Sequence, residues 1–141
     1  MATTTIRYAA PATGVGRTRA LGAAGAVLAA VAVWAIAVPV LGIHLIIRFG
    51  SAAPESVEVG LVAGASALAS LAAWGLLALL ERRTRRARSI WTAIAVVVLL
   101  VSLSLPLSAG TTNSARATLA LMHVVVAAIL IPTLRRSSSP R

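Results

Sequence analysis

The sequence predicts an all-α integral membrane protein, a four-helix up-down bundle with both termini cytoplasmic. Three observations carry that expectation. Hydrophobic residues form 59% of the 141 residues and charged residues 11%, against about 25% charged in soluble domains; mean hydropathy is +0.94. Four apolar runs, about 20–47, 57–80, 90–107 and 117–134, match the ~20 residues that cross a bilayer's hydrocarbon core. A short basic loop, Glu81 to Ser89, separates the second run from the third. Its five arginines, Arg82, Arg83, Arg85, Arg86 and Arg88, are costly to translocate and hold the loop on the cytoplasmic side, beside the anionic inner leaflet.

Residues 1–19 are polar, contain Pro11 and lack a sustained period, which reads as a disordered cytoplasmic arm. The first helix, over 20–47, is uncharged and longer than a bilayer requires. Pro39 leaves the Ala35 carbonyl without its helical donor, so a bend is expected there. Arginines precede this apolar run as in a signal peptide, but the run is too long for one and lacks a small-residue cleavage site. Arg48 to Glu55 has turn composition and forms an external loop. Ser56 is placed to cap the second helix, with Glu58 in its first turn.

The second helix carries Gly60-x-x-x-Gly64 and the ladder Ala65, Ala69 and Ala73. Small residues four apart let backbones approach closely inside lipid, so this helix is expected in the bundle interior. Trp91 opens the third helix as an interfacial anchor, and Pro106 frays or kinks its far end. The fourth helix runs to Arg135 and Arg136, and 135–141 form a short disordered tail. Short loops make successive helices antiparallel neighbours.

Several function classes are excluded or disfavoured. Without cysteine, disulfides, thiolate metal sites and dithiol chemistry are absent. Net charge is +10, yet all arginines except Arg48 and Arg116 fall in three places: 7–19, 82–88 and 135–141. That distribution is a topology signal, and no aromatic residues are interleaved for base stacking, so nucleic acid is not an expected partner.

The order of four landmarks resembles a family of small actinobacterial membrane proteins, domain of unknown function 6069. They are the stretch Trp34 to Gly42, the stretch Ala72 to Arg82, Ser102-Leu103-Ser104-Leu105-Pro106-Leu107, and Leu119-Ala120-Leu121-Met122-His123. The resemblance implies a four-helix integral membrane protein and brings no reaction with it.

Polar groups inside a membrane span are costly and are therefore candidate functional groups. Counted along the expected helices, His44, Glu58, Ser102, Ser104 and His123 all fall in the outer half of the bilayer. They define a candidate ligand pocket, with Pro39 and Pro106 bending helices around it. The competing reading is structural: Glu58 caps, the serines bond their own helix carbonyls, and His123 makes an interhelical bond. No catalytic residue, metal site or cofactor is assigned. The expected function is a non-enzymatic component of the cytoplasmic membrane that packs with itself or a partner, or binds a lipid or small apolar ligand. The alternative is a small transporter or a haem- or quinone-associated redox subunit using the outer-half cluster.

Overall fold

The computed structural model describes residues 13–137. Its order is α1 (Thr13–Ala37), β1 (Ile46–Ile47), β2 (Glu55–Ser56), α2 (Val59–Arg83), α3 (Ala87–Ser102), α4 (Ser104–Ala109) and α5 (Asn113–Ser137). Four stretches are long and apolar enough to cross a membrane: Gly14–Ala37, Val59–Arg83, Ala87–Ala109 and Asn113–Ser137. Helix α1 packs along α5 on one side and α2 on the other, and α3 closes the ring between α2 and α5. Chain neighbours are therefore space neighbours, as in an up-down bundle.

The first helix departs from its expected bounds. It begins at Thr13, so residues 13–19 of the expected arm are helical, and the remainder of that arm lies outside the described residues. It ends at Ala37 and does not bend through to 47. Pro39 has no N–H to donate and disfavours the α conformation at Val38. Gly42 then adopts a φ of +65°, open to glycine at no steric cost, and the Ile43 N–H returns to the Ala37 carbonyl at 2.9 Å.

Residues 38–58 form a hairpin over one end of the bundle instead of a helix end and a loop. In it Ile46 pairs with Ser56 and Ile47 with Glu55. On the other side of β1, Ile47 bridges to Gly110, and the Arg48 N–H donates to the Ala109 carbonyl at 2.9 Å. Leu45 and Val57 are buried with Ala30, Val62, Ala115, Leu119 and Met122, so the hairpin plugs the bundle. The Trp34 indole N–H donates to the Val57 carbonyl at 2.8 Å and ties the plug to α1.

Helix α2 starts at Val59 with Glu58 as its N-cap residue, but the Glu58 side chain makes no cap bond; Ser56 lies in β2 and caps nothing. Pro106 falls in the first turn of α4, where a missing N–H is tolerated, and the expected kink takes the form of a break at Leu103. Thr112 accepts from the Ala115 N–H at 3.1 Å, which starts α5 ahead of the expected position 117. Helix α5 runs on through Ser137; the rest of the expected tail lies outside the described residues.

Candidate functional site

The small residues that bring helices together lie on α1. Ala26 and Ala30 are fully buried there, and a Cβ on Gly22 would sit 2.5 Å from Thr133 Cγ2 of α5. On α2 the inward stripe is Val62, Ser66, Ser70, Ala73 and Leu77, with Ser70 donating to the Ser66 carbonyl at 2.7 Å. Of the ladder read from sequence, Ala73 alone reaches this stripe. The Trp91 indole N–H donates to the Ala73 carbonyl at 2.9 Å, and Trp91 is 1% exposed. Trp91 is thus a core residue of the α2–α3 seam and not an interfacial anchor.

Gly60, Gly64, Ala65 and Ala69 face away from their own chain. No atom of another element comes within 4 Å of a Cβ built on Gly60 or Gly64. Helix α2 therefore shares its interior role with α1 and leaves its glycine face open.

The five polar residues of the candidate pocket are not hydrogen-bonded to one another, although the hairpin register that pairs Ile46 with Ser56 continues to bring His44 opposite Glu58. His44 is exposed in the connection after α1, and Glu58 is exposed at the foot of α2. Ser102 Oγ donates to the Leu99 carbonyl at 2.8 Å and Ser104 Oγ to the Val101 carbonyl at 2.6 Å. Each serine satisfies itself on its own chain, three residues back. His123 is half-buried on α5, with Nδ1 2.8 Å from the Leu119 carbonyl oxygen. Among the described residues no group of three or more His, Asp or Glu side chains could hold a metal ion.

A polar cluster that sequence reading missed lies at the opposite end. Arg19, 5% exposed, places Nη2 2.6 Å from Glu81 Oε1. Its Nε donates to Ser137 Oγ at 3.0 Å, and Nη2 also donates to the Ser137 carbonyl at 3.2 Å. The Ser137 hydroxyl in turn donates to the Leu134 carbonyl at 2.9 Å. One guanidinium thus joins the ends of α1, α2 and α5. The signal was present: Glu81 is the one acid among the arginines and falls four residues after Leu77, on the inward stripe of α2. Around this clasp Arg17, Arg82, Arg83, Arg85, Arg86, Arg88, Arg135 and Arg136 are exposed. The hairpin end carries Arg48 and Arg116 with Glu55 and Glu58, which balance. Arg116 Nε donates to the Gly110 carbonyl at 2.8 Å.

The profile of the family of unknown function DUF6069 matches residues 10–140. The chain belongs to this family. The match takes in all five helices and the hairpin plug, so the resemblance carried by the four sequence landmarks holds across the whole membrane domain. Comparison with curated proteins and with solved structures found no match. As a member of DUF6069 the chain is a multi-pass protein by the length and apolarity of its four spans.

Proposed function

We propose that this DUF6069 protein is a non-enzymatic component of the cytoplasmic membrane that works by packing the glycine face of α2 against another membrane helix, a second copy in the first instance. The observation that carries this reading is the open face of α2, where Gly60, Gly64, Ala65 and Ala69 are exposed together with Leu61 and Leu68. Lipid tails satisfy a leucine-rich face as well as a protein does, whereas a glycine-lined face gains most from a second backbone approaching closely. The local hydrogen bonding of the two serines supports the non-enzymatic part. Ser102 and Ser104 each donate to a carbonyl three residues back, and neither hydroxyl is hydrogen-bonded to a histidine or a carboxylate that would activate it.

The orientation follows from charge. The end bearing the clasp holds the exposed arginines, and its one carboxylate among the described residues, Glu81, is already occupied by Arg19. That end belongs at the anionic inner leaflet, with both termini cytoplasmic, each arginine near the surface contributing on the order of 1 kcal/mol.

Native mass spectrometry from mild detergent tests the packing. The expected result is a homo-oligomer that falls to monomer when Gly60 and Gly64 are both replaced by leucine. These positions are open within the chain, so the monomer fold is retained. A wild-type monomer in mild detergent and in lipid nanodiscs, or an oligomer indifferent to both substitutions, overturns the reading.

A further inference from the structure

His123 holds the one imidazole inside a span, and its two ring nitrogens are treated differently. Nδ1 faces the Leu119 carbonyl at 2.8 Å. A carbonyl only accepts, so this contact requires the proton on Nδ1, and in the singly protonated tautomer that fits it Nε2 is an acceptor. Nothing among the described residues donates to Nε2, and no unpartnered side-chain nitrogen among them is buried, so this nitrogen reaches the protein surface. Its depth is what matters. At 1.5 Å per residue, His123 lies about 15 Å from the start of α5 and about 21 Å from its end. That places it well inside the hydrocarbon, where no bulk water supplies a donor and an unsatisfied polar group costs several kcal/mol.

The face that bears the ring is also defined. Gly22 and Gly25 of α1 approach Thr133 and Ile129, which identifies the side of α5 turned to α1. Arg116 reaches the Gly110 carbonyl just beyond α4, which identifies the side turned to α4. His123 follows Arg116 and Ala120 along that second, half-buried side and precedes Ala127. Ala120 lies one turn before the imidazole and Ala127 one turn after, while the larger Leu119 and Val126 flank it on the packed side.

We propose that His123 Nε2 is the acceptor for a lipid-soluble molecule that carries a hydroxyl donor on an otherwise apolar body. The hydroxyl donates to Nε2, the Leu119 carbonyl holds the ring in the accepting tautomer, and Ala120 and Ala127 flank the bound group. The inference rests on the membrane placement of α5 in the reading above and is independent of self-association through α2.

The probe pair is 4-nonylphenol and its methyl ether, which differ in the hydroxyl donor. The protein, labelled with ¹⁵N-histidine, is studied in lipid nanodiscs. Alone, its His123 resonances report the Nδ1–H tautomer with a free Nε2. Nonylphenol shifts the Nε2 resonance saturably, the ether does not, and His44 is unmoved by either. A His123→Phe variant loses the binding, and a His44→Ala variant keeps it. An Nε2–H tautomer at rest overturns the proposal, as does equal binding of the ether or undiminished binding by His123→Phe. An Nε2 already hydrogen-bonded in plain lipid also overturns it, by showing a donor from the bilayer or a second copy. The wild-type spectra decide the matter even where the variant does not accumulate. Oligomer mass measured on the same samples keeps a failure here separate from a failure of the packing reading.

Discussion

Arg19 and Glu81 stand 62 residues apart in sequence and meet at 2.6 Å at the arginine-rich end of the bundle. Each is a charge among charges in the sequence. In the fold they neutralise one another, and the two bonds from Arg19 to Ser137 extend the contact to a third helix. Breaking a buried ion pair from one side leaves the other charge unpaired, at a cost of about 3–5 kcal/mol. The Glu81 side chain keeps 22% of its exposure, so Glu81→Ala is expected at the lower end of that range. Chemical denaturation in detergent measures it. A loss below about 0.5 kcal/mol, the size of an ordinary surface change, would show that the clasp contributes little. The double replacement Arg19→Met with Glu81→Leu should cost less than the single one, since it buries no orphan charge.

Two glycine substitutions should have opposite signs. Gly22→Ala places a Cβ 2.5 Å from Thr133 Cγ2, and the Thr133 hydroxyl is held by the Ile129 carbonyl at 2.7 Å. The side chain cannot turn away without losing that bond, so a loss of about 1–3 kcal/mol is expected from overpacking. Gly60→Ala meets nothing in its own chain and should gain up to about 1 kcal/mol of helix propensity in the monomer. Thermal unfolding of both variants checks the pair. Equal effects would mean that the α1–α5 contact is not as close as described.

Trp34→Phe keeps an aromatic ring in the core and removes the indole N–H that reaches Val57. The expected cost is about 1–3 kcal/mol for the carbonyl left without its donor. It should appear as faster hydrogen exchange at Ile46, Ile47 and Val57 before any change in the helices. Uniform acceleration along the chain would instead make Trp34 a general core residue with no special hold on the hairpin.

A cysteine placed at Ser51, exposed at the hairpin tip, is expected to react with a membrane-impermeant thiol reagent on intact cells. One placed at Ser89, exposed beside the arginine turn, is expected to react only after lysis. The reverse pattern would invert the orientation.

Much of the fold was legible because lipid imposes a coarse code of length, apolarity and basic ends. Four spans, their order and their antiparallel neighbours all follow from it. The hairpin was not legible by the same code, because Leu45, Ile46 and Ile47 are as apolar as the helix before them. The local cues were Pro39, Gly42 and the pair of β-branched isoleucines, which mark a strand more than a helix end. For the same reason the apolar run carries the expected first helix over His44, which lies in the connection after α1. The choice between two small-residue stripes was hidden for a different reason. Gly22, Ala26 and Ala30 on α1 and Gly60, Gly64 and Ala65 on α2 have similar composition, and tertiary packing alone decides which one meets a neighbour. Trp91 shows the limit of reading an aromatic residue beside a basic loop as an anchor, since its partner, the Ala73 carbonyl, belongs to another helix.

The seam between α1 and α5 joins the first and the last of the four described spans. Until Asn113 to Ser137 has entered the membrane, Gly22 lacks its neighbour Thr133 and Arg19 lacks both Ser137 bonds. A chain stopped after its third span therefore carries an unfilled slot along α1 and a half-built clasp. Closure of that seam therefore waits for the fourth described span to be made.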